Sequence, residues 1–494
     1  MIFDYLKELF LQNFGHNPTS EQGKVIEELV RFIIMNDGDG RDVRKDAFVL
    51  RGYAGTGKTS LVAALVNTME QLEQKCVLLA PTGRAAKVFS LYANHPAFTI
   101  HKRIYRQKSI DDDSVYSLDF NPSKNTLFII DEASMIANDS PMLEIDYGRD
   151  MIVQENHLLD DLIQYVYSGA GCRIILVGDT AQLSPVGLLQ SPALQSDVIN
   201  DYGLNVSCHT LTQVVRQRQQ SGILLNATQL RQMITDTQTA MYFSFPKIQF
   251  CKDVRNIPGN ELIEELSNCY YRYGMDETIV VCRSNKHANI YNMGIRNQIL
   301  ERECILETGD KIMVAKNNYF WLKKMNLPLQ NPEEAQSVGT SFIANGDIAT
   351  VKRSYNEREL FGFHFVDCEL SLPDYDDLDI EATVLLDALT SEGPALSREQ
   401  NESLWTEVLK DYEDIPYKRD RIKKMKEDIY FNALQIKYAY AITCHKAQGG
   451  QWAHVFIDQG YITDEMLGED YYRWLYTAFT RATDTVYLVN WKEN

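Results

Sequence analysis

The chain of 494 residues lacks a long hydrophobic run, a metal-ligand cluster and any excess of positive charge. Each absence removes a class of protein. No uninterrupted apolar stretch approaches the roughly 18 residues that read as a membrane span, so no transmembrane helix is expected. The opening Met1-Ile2-Phe3-Asp4-Tyr5-Leu6-Lys7 has neither the basic start nor the apolar core of a secretory leader. The nine cysteines are scattered, odd in number and without a Cys-x-x-Cys pair, and no His-Glu-x-x-His occurs. Disulfide scaffolds and structural zinc sites are disfavoured, and a reduced, cytoplasmic protein is expected. The net charge of −19 argues against a protein that coats nucleic acid non-specifically. It leaves room for a narrow basic groove on an acidic body, because much of the acidity is local, in Asp111-Asp112-Asp113 and between Asp374 and Asp379.

What the chain does have is ordinary globular composition, 45% hydrophobic and 24% charged, over a length that calls for several domains. An apolar run, Ala47-Phe48-Val49-Leu50, leads into Gly52-Tyr53-Ala54-Gly55-Thr56-Gly57-Lys58-Thr59. A helical pattern follows from Ser60 to Gln74, with Leu61, Val62, Leu65 and Val66 on one face. Strand, glycine loop and helix are the context a P-loop requires. Glycines let backbone N–H groups turn inward around a polyphosphate, and the helix start adds partial positive charge. Lys58 can reach the β- and γ-phosphates, and the Thr59 hydroxyl can ligate Mg²⁺.

Further buried strands are expected at Cys76–Ala80, Thr126–Ile130 and Arg173–Val177. They end in Pro81-Thr82-Gly83-Arg84, Asp131-Glu132-Ala133-Ser134 and Gly178-Asp179-Thr180-Ala181-Gln182. Polar residues repeatedly placed at one edge of a parallel sheet define a doubly wound α/β domain. Two polar-aromatic segments, Ile104–Lys108 and Val115–Phe120, predict an inserted hairpin. A second sheet of the same kind is expected after residue 206, with strands at Thr278–Cys282, Ala453–Ile457 and Thr485–Val489. Between them, Ile343–Cys368 alternates apolar and polar residues, with turns at Asn345-Gly346 and Tyr355-Asn356, as in a small β-barrel. The charged helices of 397–429 carry a basic run, Lys418 to Lys426, which is either a solvated face or a surface for nucleic acid.

Asp131 can hold Mg²⁺ through its water shell opposite Thr59, and Glu132 can orient and deprotonate the attacking water. Gln182 is placed to contact the γ-phosphate. Phosphoryl transfer also calls for positive charge on the transition state. Arg216 and Arg481 are the candidates if the two halves face each other, and ordinary salt-bridge partners if they do not. Thr19 with Gln22 is a capping-box pattern, and Gln22 also stands where an adenine contact would lie.

The ordered series Gly52–Thr59, Ala80–Ala86, Asp131–Ser134, Gly178–Val186, Thr212–Gln217, Thr443–Gly449 and Leu475–Ala482 resembles a superfamily 1 helicase of the RecD/Dda-like, 5′→3′ branch. The resemblance implies two RecA-like α/β domains. The first would span 1–205 with a pin hairpin at 103–124. The second would span 206–315 and 431–494, interrupted at 316–430 by an SH3-like module and tower-like helices. It implies ATP and Mg²⁺ as cofactors. Gln22, Gly52, Ala54, Gly55, Thr56, Gly57, Lys58, Thr59 and Ser60 would bind the nucleotide, with Thr59 and Asp131 on the metal. Lys58, Glu132, Gln182, Arg216 and Arg481 would carry hydrolysis. Pro81, Thr82, Arg84, His101, Thr443, His445, Lys446 and Gln448 would contact the strand. The expected partner is single-stranded DNA and its junctions with duplex, engaged by a monomer. An RNA helicase of the same superfamily and an ATP-gated nucleic-acid-binding subunit without unwinding are the competing functions.

Overall fold

The computed structural model describes residues 2–34, 45–107, 116–138, 157–215, 221–236, 243–324, 342–375 and 377–491. Strands β1 (Asp46–Gly52), β2 (Cys76–Ala80) and β3 (Ala97–Thr99) are followed by β4 (Tyr105–Gln107) and β5 (Tyr116–Leu118). Then come β6 (Leu127–Ile130), β7 (Arg173–Gly178) and β8 (Asn205–Leu211). The first sheet is ordered β3-β2-β6-β7-β1-β8 with every pair parallel. The alternation of a strand explains how so apolar a run serves two layers. In β6, Leu127 and Ile129 join the core beneath helices Ser20–Ile34 and Lys58–Gln71, while Phe128 and Ile130 face helix Leu158–Ser168 on the other side. β4 and β5 pair antiparallel from Tyr105↔Leu118 to Gln107↔Tyr116 and form the base of the expected hairpin. Its acidic tip lies outside the described residues.

The second half contributes β9 (Val254–Ile257), β10 (Thr278–Cys282) and β11 (Lys311–Val314). β12 (Ile348–Leu360), β13 (Phe363–Leu372), β14 (Leu378–Leu385) and β15 (Leu434–Tyr438) follow. β16 (Ala441–Thr443), β17 (Trp452–Asp458) and β18 (Ala482–Val489) complete it. A second parallel sheet is ordered β16-β10-β17-β18-β9, and β11 to β15 close into a barrel. The molecule is thus two doubly wound α/β domains with a hairpin inserted in the first and a barrel plus helices in the second. Helices Arg398–Lys410 and Lys418–Lys426 seal one end of the barrel, where Leu404, Val408 and Met425 pack on Phe365. The first of them begins with a complete capping box, Ser397 with Gln400. No helix among the described residues is long and apolar enough to cross a membrane.

Three boundaries differ from the sequence reading. β8 pairs along its whole length with β1, so the first domain runs through Leu211 and not to 205. β11 and β15 belong to the barrel, so the insertion spans 311–438, where 316–430 was expected. Both shifts have one cause. An apolar strand reads the same whichever sheet it joins, and only pairing assigns it. The tight turn after β12 sits at Phe361-Gly362, both with left-handed φ (58° and 75°). Asn356 (φ 54°) instead lies inside β12, at a register irregularity between Tyr355 and Arg358.

Candidate nucleotide and nucleic-acid sites

The loop between β1 and helix Lys58–Gln71 is held open to an anion by backbone shape. Gly55 and Gly57 have φ of +75° and +88°, a region other residues enter only with strain. A Cβ at Gly57 would stand 2.4 Å from Gln22 Nε2. Gln22 is buried, and its amide donates to Thr56 O at 2.8 Å while its carbonyl accepts from Thr19 N at 2.9 Å. Gln22 N in turn donates to Thr19 Oγ1 at 3.3 Å. The capping box is therefore formed, and Gln22 braces the P-loop from behind with its carboxamide committed at both ends. Lys58 Nζ donates to Gly52 O and Tyr53 O at 2.6 and 3.0 Å and stands 3.9 Å from the Asp179 carboxylate. Thr56 is buried, with its hydroxyl donating to Tyr53 O at 2.8 Å, and Thr59 and Ser60 are exposed at the rim. A glycine-lined turn with inward lysine at a helix start fits a polyphosphate.

Asp131 and Glu132 follow β6, in the same domain as Lys58. Glu132 takes a left-handed φ of 52°, a conformation that favours glycine and concentrates at functional sites. Burial pushes both carboxyls above the ordinary carboxylate range; Arg481 and Lys58 counter this at Glu132, and Tyr92 and Lys58 counter it at Asp131. Carboxylates penned together in this way favour a cation beside them. Among the described residues no group of three or more His, Cys, Asp and Glu side chains could hold a metal. Mg²⁺ keeps most of its waters and needs only one or two protein ligands.

The second domain completes this site. Helix Glu469–Phe479 and the residues after it lie against the ends of β1 and β7. Arg481 is buried, anchored through Nε to Thr477 O (3.1 Å) and through Nη1 to Gly450 O (3.2 Å). The same Nη1 stands 3.9 Å from Glu132 Oε1 in the other domain. Tyr476 donates to Asp179 Oδ2 at 2.6 Å and accepts from the P-loop Ala54 N at 2.8 Å. Leu183 N donates to Thr477 Oγ1 at 2.8 Å, Gln448 Nε2 donates to Leu183 O at 2.8 Å, and Arg473 donates to Thr180 O. Arg231 stacks over Tyr53 of the P-loop at 4.5 Å. The loop carrying Gln182 is thus gripped by the second domain; Gln182 Oε1 and Ser134 Oγ are buried there without a hydrogen-bond partner among the described residues. Gln448 is buried in this grip, where it joins the two domains. Arg216 lies outside the described residues.

Asp179, Tyr476, Arg473 and Thr477 were not singled out in the sequence. Asp179 carries a legible signal, a carboxylate at the end of an all-apolar strand in the P-loop sheet. The tyrosine carries none, because only docking brings it to Ala54. Tyr476→Phe removes one bridging hydroxyl and keeps the ring. The hydrogen bond to a charged partner suggests a cost of about 1.5–3 kcal/mol, so nucleotide-dependent ATPase is expected to fall by about tenfold or more, measured by steady-state phosphate release.

The strand-contact candidates gather where the domains and the barrel meet. Thr82 caps helix Gly83–Ala93, with its hydroxyl accepting from Ala85 N at 3.2 Å. Arg84 stacks on Trp452 of the second domain at 3.9 Å, and a Cβ at Gly449 would stand 2.7 Å from Ala85 Cβ. Pro81 and Thr443 are half-buried at their strand ends, His101 is half-buried with its ring 5.7 Å from that of Tyr105, and His445 is exposed. Lys446 donates to Asn345 of the barrel, and burial pulls its ammonium down to about 8. Lys102 stands 3.7 Å over the Tyr375 ring, and Lys87 donates to Pro373 O at 3.1 Å. The barrel therefore touches both motor domains beside these residues.

Two α/β domains that share nucleotide-facing groups across their interface define a P-loop motor enzyme. Residues 40–188 match the sequence model of an AAA domain, and residues 438–489 match that of the UvrD-like helicase C-terminal domain. The chain is 23% identical over 501 residues to "Uncharacterized protein R530" of Acanthamoeba polyphaga mimivirus, covering 88% of this chain and 94% of that one. It is 32% identical over 139 residues to the ATP-dependent RecD2 DNA helicase of Deinococcus radiodurans, covering 28% of this chain and 16% of that protein. Among solved structures it is similar to Pif1 helicase from Bacteroides with ADP-AlF3 and ssDNA (TM-score 0.44, 15% identity, 96% and 93% of the two chains). It is also similar to Pif1 helicase from Candida albicans (TM-score 0.41, 14% identity, 97% and 95%). One match falls in each α/β domain, so the chain resembles the ATP-hydrolysing helicases of superfamily 1, RecD-like branch.

Proposed function

We propose that the chain is an ATP-dependent DNA helicase that moves 5′→3′ along single-stranded DNA and opens duplex at its junctions. The observation that carries this reading is the Arg481–Glu132 approach of 3.9 Å, which joins a cation of one domain to the water-activating carboxylate of the other. A site divided this way is competent only when the domains close, so hydrolysis is tied to their relative motion. DNA as the substrate follows the RecD2 relative, whose name records a DNA helicase.

The residues divide the labour. The backbone around Gly52–Ser60 and Lys58 cradle the phosphates, with Gln22 holding the loop in shape. Glu132 accepts the proton of the attacking water, and Arg481 meets charge that develops on the transferred phosphoryl group. Thr59 and Asp131 would hold Mg²⁺, which supplies charge neutralisation of the phosphates. Gln182, in the loop fixed by Arg473 and Thr477, is placed to report on the γ-phosphate. Thr82, Arg84, His101, Thr443, His445 and Lys446 hold the strand along a track that the barrel borders, and the β4–β5 hairpin serves as the pin. Arg216 is assigned by its position in Thr212–Gln217 alone.

Strand-tail polarity tests the reading. Duplexes with a 5′ single-stranded tail are expected to be unwound at least about tenfold faster than those with a 3′ tail, a difference of about 1.4 kcal/mol in the barrier. Equal or reversed preference would remove the 5′→3′ assignment. ATPase stimulated by RNA alone would replace DNA by RNA as the substrate.

A further inference from the structure

Helix Gly83–Ala93 has a function at each end. At its start stand Thr82 and Arg84, on the strand track as read above. Near its end stands Tyr92, whose hydroxyl donates to Asp131 Oδ2, the carboxylate assigned to the metal. Nothing in the sequence marks Tyr92 for this role. It is one aromatic in an amphipathic helix, and its partner lies 39 positions away.

The two ends are joined by one continuous helix of 11 residues. The Tyr92 ring stacks on Phe89 at 5.2 Å and 25°, and Phe89 is fully buried in the core that supports the P-loop helix. Ala85 and Ala86 are buried at the other end, against which Gly449 of the second domain packs without room for a side chain. A displacement at the first turn is therefore carried along a rigid rod to the phenol. The phenol cannot follow by rotating about its own bonds without breaking its stack on Phe89. One oxygen of Asp131 is fixed by this hydrogen bond, so the orientation of the carboxylate depends on where the helix lies.

We propose that Tyr92 is the positioning residue through which strand binding at the start of this helix sets Asp131 for ATP hydrolysis. The proposal rests on the helicase reading of the site and names how that site is regulated. The bland alternative is a hydrogen bond that only satisfies a buried carboxylate, in which case losing it would depress activity alike with and without a strand.

Tyr92→Phe separates the two, since it keeps the ring and its stack and removes one oxygen. The KM for ATP is expected to stay within about twofold of the parent. The rate with saturating single-stranded DNA is expected to fall about tenfold more than the rate without it, the loss expected of one hydrogen bond to a charged group. A second readout needs no turnover. A transition-state mimic, ADP with aluminium fluoride and Mg²⁺, turns the rate effect into a binding effect, so by reciprocity it should raise strand affinity in the parent, measured by fluorescence anisotropy, and the rise should shrink by a similar factor in the variant. Equal losses with and without DNA, or an unchanged effect of the mimic, overturn the coupling role while the helicase assignment stands. A parent protein that shows no strand stimulation at all overturns both. Thermal melting of the variant within a few degrees of the parent is the control that the fold is kept.

Discussion

Lys58→Ala is expected to reduce ATP hydrolysis by about three orders of magnitude, and unwinding with it. Removing one preorganised donor from a charge-developing site costs about 10²–10³ in rate, and this lysine also stands 3.9 Å from the buried Asp179 carboxylate. Taking it away leaves Asp179 with the Tyr476 and Ala181 hydrogen bonds but, among the described residues, no counter-ion in contact. The P-loop, braced by Gln22 at Thr56 O, would keep its shape. The deficit should therefore appear in turnover and in affinity for the triphosphate, with the melting temperature close to the parent's. Steady-state ATPase with and without single-stranded DNA measures the first, and binding of a fluorescent ATP analogue measures the second. Unwinding by this variant at the parental rate would sink the P-loop assignment.

The second large effect belongs to Arg481. If it stabilises charge on the transferred phosphoryl group from the opposite domain, Arg481→Ala should lower the DNA-stimulated rate by about 10³–10⁵. Nucleotide binding should change little, because the cradle lies wholly in the first domain. The substitution also removes anchors at Thr477 O and Gly450 O and leaves Glu132 without its guanidinium, so some loss of stability is expected. Arg481→Lys is the informative companion. It keeps the charge and loses the planar fork, so a stability defect would be partly relieved while the rate stays low. Single-turnover measurements at saturating ATP separate chemistry from binding. A near-parental rate for Arg481→Ala would show that the site is complete within one domain and would dissolve the argument for coupling hydrolysis to domain motion.

The two residues differ in how far they could be read in advance. Lys58 is legible in full, since a strand, three glycines, a lysine and a helix lie within one short stretch and their geometry is local. Asp131 and Glu132 were legible for the same reason, as polar residues at the end of an all-apolar strand. Arg481 could be named from its motif, but its partner could not be derived from it. Gln22 had two readings, and the structure shows the capping box formed together with an added bond to Thr56 O. Gln448, expected on the strand track, is buried against Leu183. A glutamine in a loop carries no mark of which side of that loop will be covered.

What the chain determines locally is therefore the set of parts: the phosphate cradle, the acidic strand end, the two parallel sheets and the helices between them. These follow from backbone freedom, period-two burial and capping, each settled within a few residues. Tertiary structure decided the rest. Pairing placed β8 in the first sheet and β11 and β15 in the barrel. Docking set Tyr476 between Ala54 and Asp179, Arg481 beside Glu132, and Tyr92 on Asp131. Such contacts join residues 39 to 422 positions apart, and no local rule of propensity or periodicity relates them. They exist because packing the two domains and their helices brings these side chains within reach of one another.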